Sequence, residues 1–144
     1  MLGVFSAMEI ASSGLSAQRT RMNTIASNLA NAQTTRTAAG GAYKRVDPVF
    51  EAIALDKMRA ISPSERSVSM VQVSQIVQDQ RPGQMVYSPG HPDANADGYL
   101  EYPNVNMVEE MVNMITASRA YEAGVSSVEA TQKMANSALD LGRG

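Results

Sequence analysis

Residues 104–141 read NVNMVEEMVNMITASRAYEAGVSSVEATQKMANSALDL, with no proline and a single glycine, Gly124. Apolar residues recur seven apart at Met107, Met114, Tyr121, Val128 and Ala135. A second row follows four later at Met111, Val125 and Leu139, with Ser118 and Gln132 in its gaps. Two such rows are the a/d seam of a helix packed along another helix, narrower than the stripe of a helix lying on a globular core. At ~1.5 Å per residue the stretch is roughly 55 Å long. Its seam includes Ser, Gln and Ala, which bury too little apolar surface for the helix to stand alone. Asn106 with Glu109 three residues on predicts a capping-box-like start.

The partner is at the other end of the chain. Met8, Leu15, Met22 and Leu29 lie seven apart, and Val4, Ala11, Ile25 and Ala32 form the companion row with Gln18 in its gap. Only a helical period fits. Gly14 costs about 1 kcal/mol without stopping the helix. The helix should end between Asn31 and Thr35, before Gly40-Gly41. Its outer face is unusual: in residues 1–34 only Glu9, Arg19 and Arg21 are charged, and the rest is Ser, Thr, Asn and Ala. A Ser-rich surface helix is the ordinary alternative, but a solvated helix normally carries charged i,i+4 pairs. The favoured reading has both faces covered, one by the C-terminal helix and the other by further copies or related subunits.

Between the helices, residues 43–56 favour an extended segment, with Pro48 at an edge or bulge. Residues 57–66 read as a loop. Residues 67–80 read as a strand in which Val71, Val73 and Val77 alternate with polar residues while Met70 and Ile76 break the register. Arg81-Pro82-Gly83-Gln84 has the type II turn pattern, so the short strand 85–87 should return on 67–80 as a hairpin. Residues 88–98 form a loop, and 99–102 form one more strand. The expected architecture is mainly α with a small β part (α+β). The N- and C-terminal helices pair as a long antiparallel coiled coil, with 1–36 and 104–144 as its two helices and 37–103 as a middle β-rich segment.

Composition excludes several function classes. The 144 residues carry a net charge of −2, so neither a nucleic-acid surface nor a polyanion is indicated. There is no cysteine, which removes disulfides, thiolate metal sites and thiol nucleophiles. Aromatic content is 5%, low for a compact core, and ten methionines with many Ala, Ser and Val suit adaptable helix packing. No run of 18 apolar residues is present, so no membrane span is expected. The first fifteen residues lack a basic n-region and carry Glu9, against a cleaved secretory leader.

No constellation supports an enzyme, a cofactor or a small-molecule substrate. Asp93-Ala-Asn95-Ala-Asp97-Gly98 matches half a calcium loop, but its twelfth position is Asn104 where a bidentate Glu is needed. An Asx-rich turn before a strand explains it better. His91 is the single histidine, too few for triads or His-rich metal sites. Glu109-Glu110 reads as a first-turn pair favouring the helix dipole, and Asp140 as a surface carboxylate. Lys44-Arg45 reads as a two-residue basic spot. Asn28 and Asn31 are either late-helix caps or hydrogen-bonding groups at a subunit contact.

These residues also carry a resemblance. Asn28-Leu-Ala-Asn31-Ala-Gln-Thr34, followed by Tyr43-Lys44-Arg45, is similar to the N-terminal motif of bacterial flagellar rod and hook proteins. Residues 97–106 (DGYLEYPNVN, holding Asn104 and Asn106), then Glu109-Glu-Met-Val and Ala117-Ser-Arg119-Ala-Tyr121-Glu, resemble the C-terminal signature of the proximal-rod FlgC family. The spacer from Thr34 to Tyr43 is longer than in the shared motif and contains Gly40-Gly41. The resemblance implies a structural subunit of the flagellar basal-body rod, exported unfolded by the flagellar type III apparatus without a cleaved leader. It implies assembly in the periplasm with other rod subunits, further copies of itself and membrane-ring/rod adaptor proteins. The terminal helices would then form the inner layer, and their seams (Met8, Leu15, Met22, Ile25, Leu29, Met107, Met111, Met114, Tyr121, Val125, Val128, Leu139) would lie at subunit interfaces. Ordering some 70 residues costs roughly 1–2 kcal/mol each in backbone entropy, so the termini should be partly disordered before assembly. The competing reading is a calcium-responsive or chaperone-like helical binding module.

Overall fold

A computed structural model describes residues 2–54 and 69–142; the expected loop over 57–66 lies outside the described residues. The elements run α1 (Leu2–Ala30), β1 (Val46–Ala54), β2 (Ser69–Gln78), β3 (Met85–Tyr87), β4 (Tyr99–Glu101) and α2 (Met107–Leu141). Helices at both ends and short strands between them make the chain α+β, as the periodicities require. α1 stops at Ala30. There Asn31 Nδ2 donates to the Ser27 carbonyl at 2.9 Å and Thr34 Oγ1 donates to Asn31 Oδ1 at 3.2 Å, so Asn31 closes the last turn. α2 starts at an N-cap: Asn106 Oδ1 accepts from Val108 N and Glu109 N at 3.1 and 3.3 Å.

The strand pairing differs from the sequence expectation. β2 pairs with β1, and β3 pairs with β4 rather than returning on β2. Asp79 N donates to the Arg45 carbonyl and Ser74 Oγ donates to the Val49 carbonyl, so β1 and β2 run antiparallel. β3 and β4 are antiparallel in the register Met85↔Glu101, Val86↔Leu100, Tyr87↔Tyr99. The expected type II turn is absent because Gly83 does not adopt positive φ; among the described residues only Gly40, Gly41 and Gly98 do. Gly83 is needed for a different reason. A Cβ there would collide with the Tyr102 carbonyl, so the chain passes too close for any side chain. Leu100 points inward at 1% exposure, while Tyr87 and Tyr99 stack edge-to-face on the outer side of β3–β4 with ring centroids 5.3 Å apart.

The chain divides into two compact units. The first takes Met1–Thr20, Val49–Gln75 and Ala117–Gly144; the second takes Arg21–Pro48 and Ile76–Thr116. In the first unit Leu15 packs on Gly124, where a Cβ would lie 2.8 Å from Leu15 Cδ2, and Arg19 donates to the Tyr121 hydroxyl at 3.5 Å. Advancing along α1 means retreating along α2, so the helices are antiparallel. In the second unit Asn28 meets Glu110, while Arg21 and Ile25 share a cleft with Asn113, the same sense of pairing.

The second inner row of α2 is shifted by one residue from the expected one, while the first keeps its place from Met114 onward. Met114, Tyr121, Val128 and Ala135 are half-buried as the first row. The second is Glu110, Ala117, Gly124 and Thr131, with Glu110 at 1% exposure and Ala117 at 0%. Val125 is half-buried, but Met107, Met111 and Leu139 lie exposed. Small residues bring the two backbones close, and Glu110 is held inward by polar partners; hydrophobicity alone favours Met111. On α1, Met8, Leu15, Met22 and Leu29 are half-buried and Ile25 is buried. The small-polar face of α1 is covered in part by the chain's own strands rather than by neighbours alone. In the first unit Val71 N donates to Ser13 Oγ at 3.2 Å, and Ser13, Ala17 and Thr20 border a groove with Ile53, Met70 and Val73.

Candidate functional site

The second unit is closed by a polar latch built from four separated segments. Asn28, on the last turns of α1, has 0% exposure and uses both ends of its amide. Its Nδ2 donates to the Val46 carbonyl at 2.8 Å and to Glu110 Oε2 at 3.1 Å. Its Oδ1 accepts from Val46 N and from the Tyr43 hydroxyl, each at 3.0 Å. Glu110 Oε1 accepts from Arg45 Nε at 2.7 Å, and Arg45 also pairs with Asp47 at 3.0 Å. Asn104 completes the set. Its Oδ1 accepts from Arg45 N at 2.7 Å, and its Nδ2 donates to the Asp79 and Arg81 carbonyls at 3.2 and 2.9 Å. Thr34 belongs to the same segment, its carbonyl accepting from Tyr43 N at 3.0 Å.

Each member makes the burial of the others tolerable, since a buried polar group costs free energy unless it is hydrogen-bonded. Burial works against the Arg45 charge, but hydrogen bonds and charge from Glu110 and Asp47 outweigh it and hold the guanidinium above its ordinary pKa. The latch corrects two sequence readings. Glu110 is not a surface dipole partner like exposed Glu109; it is the buried acceptor of the latch. Arg45 is not half of a basic spot but the ion-pair partner of Glu110. Of the two readings for Asn28, neither holds: it joins helix, strand and helix within one chain.

Beside the latch, Arg81 donates to Asp79 through Nε at 2.8 Å and through its backbone N–H at 2.9 Å. The Arg81 side chain first, and its backbone N–H second, pull the Asp79 carboxyl from 3.8 down to about 2. A folded-state pKa below the unfolded one stabilises the fold above 3.8, and that contribution is lost as pH falls through about 2. Carboxyl NMR titration should therefore place Asp79 near 2 and, in Arg81→Ala, move it back toward 3.8. A native midpoint at or above 3.8 refutes the pairing.

The half-calcium motif is used by the protein itself. Asn95 Oδ1 accepts from Asp97 N and Tyr99 N at 3.0 and 2.9 Å, an Asx turn with Gly98 at φ 81°. Asp93 accepts from Thr35 Oγ1 at 2.8 Å and from Arg36 at 3.4 Å; the Thr35 bond is the main cause of its lowered pKa. Among the described residues, no group of three or more His, Asp and Glu side chains is placed to hold a metal ion.

The second feature is a face of α2. Met107, Val108, Met111, Val112 and Ile115 are 45–67% exposed and recur at i, i+1, i+4, i+5 and i+8, one continuous apolar stripe. Arg119, Tyr121 and Glu122 follow it, Arg119 exposed and Tyr121 half-buried. Contiguous exposed apolar surface of this kind marks an interaction site.

Antiparallel terminal helices, small sheets between them in sequence and an exposed apolar helix face are the marks of a structural subunit. The comparisons agree. Residues 8–36 match the family Flagella basal body rod protein, and residues 96–141 match the family Flagellar basal body rod FlgEFG protein C-terminal. The chain is 39% identical to the flagellar basal-body rod protein FlgC of Borreliella burgdorferi, covering 99% of this chain and 100% of that protein. It is 37% identical to FlgC of Salmonella typhimurium (99% and 98% covered) and 36% identical to FlgC of Bacillus subtilis (96% and 98%). The chain belongs to the FlgC family of flagellar basal-body rod proteins. It is a structural subunit of the bacterial flagellum and not an enzyme.

Proposed function

We propose that α1 and α2 form the assembly layer of this rod subunit and that residues 37–103 face outward from it. The stripe from Met107 to Ile115 carries the reading: five large apolar side chains stand open on a helix whose inner row is already satisfied. Helices of other rod subunits, further copies of this chain among them, cover it. Such heterologous contacts propagate without closing and build a tube. The seam residues Met107, Met111 and Leu139, exposed in the single chain, belong to these contacts. Export by the flagellar type III apparatus without a cleaved leader, assembly on the periplasmic side and contact with membrane-ring adaptor proteins complete the proposal. It rests there on family membership.

The chain has no cysteine, so Val112→Cys provides a unique thiol. In a strain lacking the native gene, this variant should restore flagella, be recovered unprocessed in isolated basal bodies and form thiol cross-links to neighbouring subunits there. Recovery in the cytoplasm alone, or basal bodies complete without the protein, overturns the proposal.

A further inference from the structure

Each long helix holds one glycine well inside it, Gly14 in α1 and Gly124 in α2. Gly124 has a reason within its own chain, since a Cβ there would lie 2.8 Å from Leu15 Cδ2. Gly14 has no such reason. A Cβ there would meet nothing within 4 Å among the described residues, and its φ is not positive. It caps neither end of a helix that runs from Leu2 to Ala30. An interior glycine weakens a helix relative to alanine, so the residue is unfavourable to the single chain. Successive helical residues point about 100° apart. Ser13 meets Val71 of β2 and Leu15 meets Gly124 of α2, and Gly14 points between them onto a flank that neither contact fills.

From this contrast we propose that Gly14 is a specificity-determining residue of assembly. A helix of a neighbouring rod subunit crosses α1 at this point and rests on bare backbone. Packed helix axes ordinarily lie about 8–10 Å apart, depending on the side chains between them, and a glycine at the crossing lets them come closer. The proposal rests on α1 and α2 being the assembly layer. Backbone freedom is the rival explanation. Helices kink at paired Gly and Ser, and Ser13 Oγ already donates to the Ile10 carbonyl at 2.7 Å.

Gly14→Ala and Gly14→Leu, each as the sole copy in cells, separate the two. Both purified chains should keep at least the parental helix content by circular dichroism, because both residues favour helix over glycine. Both should leave the cytoplasm in parental amount. Flagella per cell should then fall with side-chain size. The alanine strain should stay within about threefold of the parent and the leucine strain should build at least about tenfold fewer, since overpacking a contact weakens association by about that factor at each copy. Parental flagellation with leucine places no neighbour at Gly14. An alanine strain as defective as the leucine strain assigns the glycine to backbone freedom. Lost helix content in Gly14→Leu, or its retention in the cytoplasm, puts the defect in folding or in export. Each of these outcomes overturns the proposal, and none of them touches the Val112→Cys cross-links that test the assembly layer itself.

Discussion

Glu110→Ala is expected to destabilise the latched unit by about 3 kcal/mol, the lower end of the roughly 3–5 kcal/mol lost when one partner of a buried ion pair is removed. The carboxylate accepts from Arg45 at 2.7 Å and from Asn28 at 3.1 Å, and it is almost wholly enclosed. Without it, the Arg45 guanidinium is left with Asp47, and the Asn28 amide with its bonds to Val46 and Tyr43. Urea unfolding followed by tyrosine fluorescence reads this unit well, because Tyr43, Tyr87, Tyr99 and Tyr102 all belong to it and the chain has no tryptophan. Glu110→Gln retains the shape and an acceptor. It should lose less, about 1–2 kcal/mol, the difference between a charged and a neutral hydrogen-bond partner. An alanine variant within about 1 kcal/mol of the parent would mean that the latch closes on solvent rather than on its own members.

The latch also explains which parts of this fold were legible in the sequence. Both helices announced themselves by period, and Asn106 announced the start of α2, because these are local signals within one or two turns. For Asn31 the sequence left two readings open, and its bond to the Ser27 carbonyl is that of the late-helix cap. Arg45 and Glu110 were not legible, since a pairing across 65 residues leaves no periodic trace and each residue alone looks like surface charge. The second row of α2 misled for a related reason. Met111 and Glu110 are adjacent, and only the polar partners waiting at Asn28 and Arg45 decide which one turns inward. Strand pairing failed at Gly83, whose glycine serves close backbone approach to Tyr102 and not the positive φ that a Pro-Gly pair suggests.

A charge placed in the open stripe should separate assembly from folding. Val112 and Ile115 are 57% and 56% exposed, so Val112→Lys leaves the single chain within about 0.5 kcal/mol of the parent, as surface substitutions generally do. In a rod the same ammonium would be taken out of water against apolar neighbours, a cost of several kcal/mol without a partner. Each 1.4 kcal/mol is a factor of ten in association, and the penalty recurs at every copy. Cells carrying Val112→Lys as their sole copy should therefore be non-motile and build at least about tenfold fewer flagella, with the purified protein keeping its parental circular dichroism. Lys133→Glu, which reverses a charge on an exposed position of the same helix away from the stripe, should leave swimming intact and so controls for charge alone. Parental flagellation in the Val112→Lys strain would show that the stripe faces water in the rod, and the covering helices would then have to be sought on the Ser- and Ala-rich face between Ala120 and Ala130.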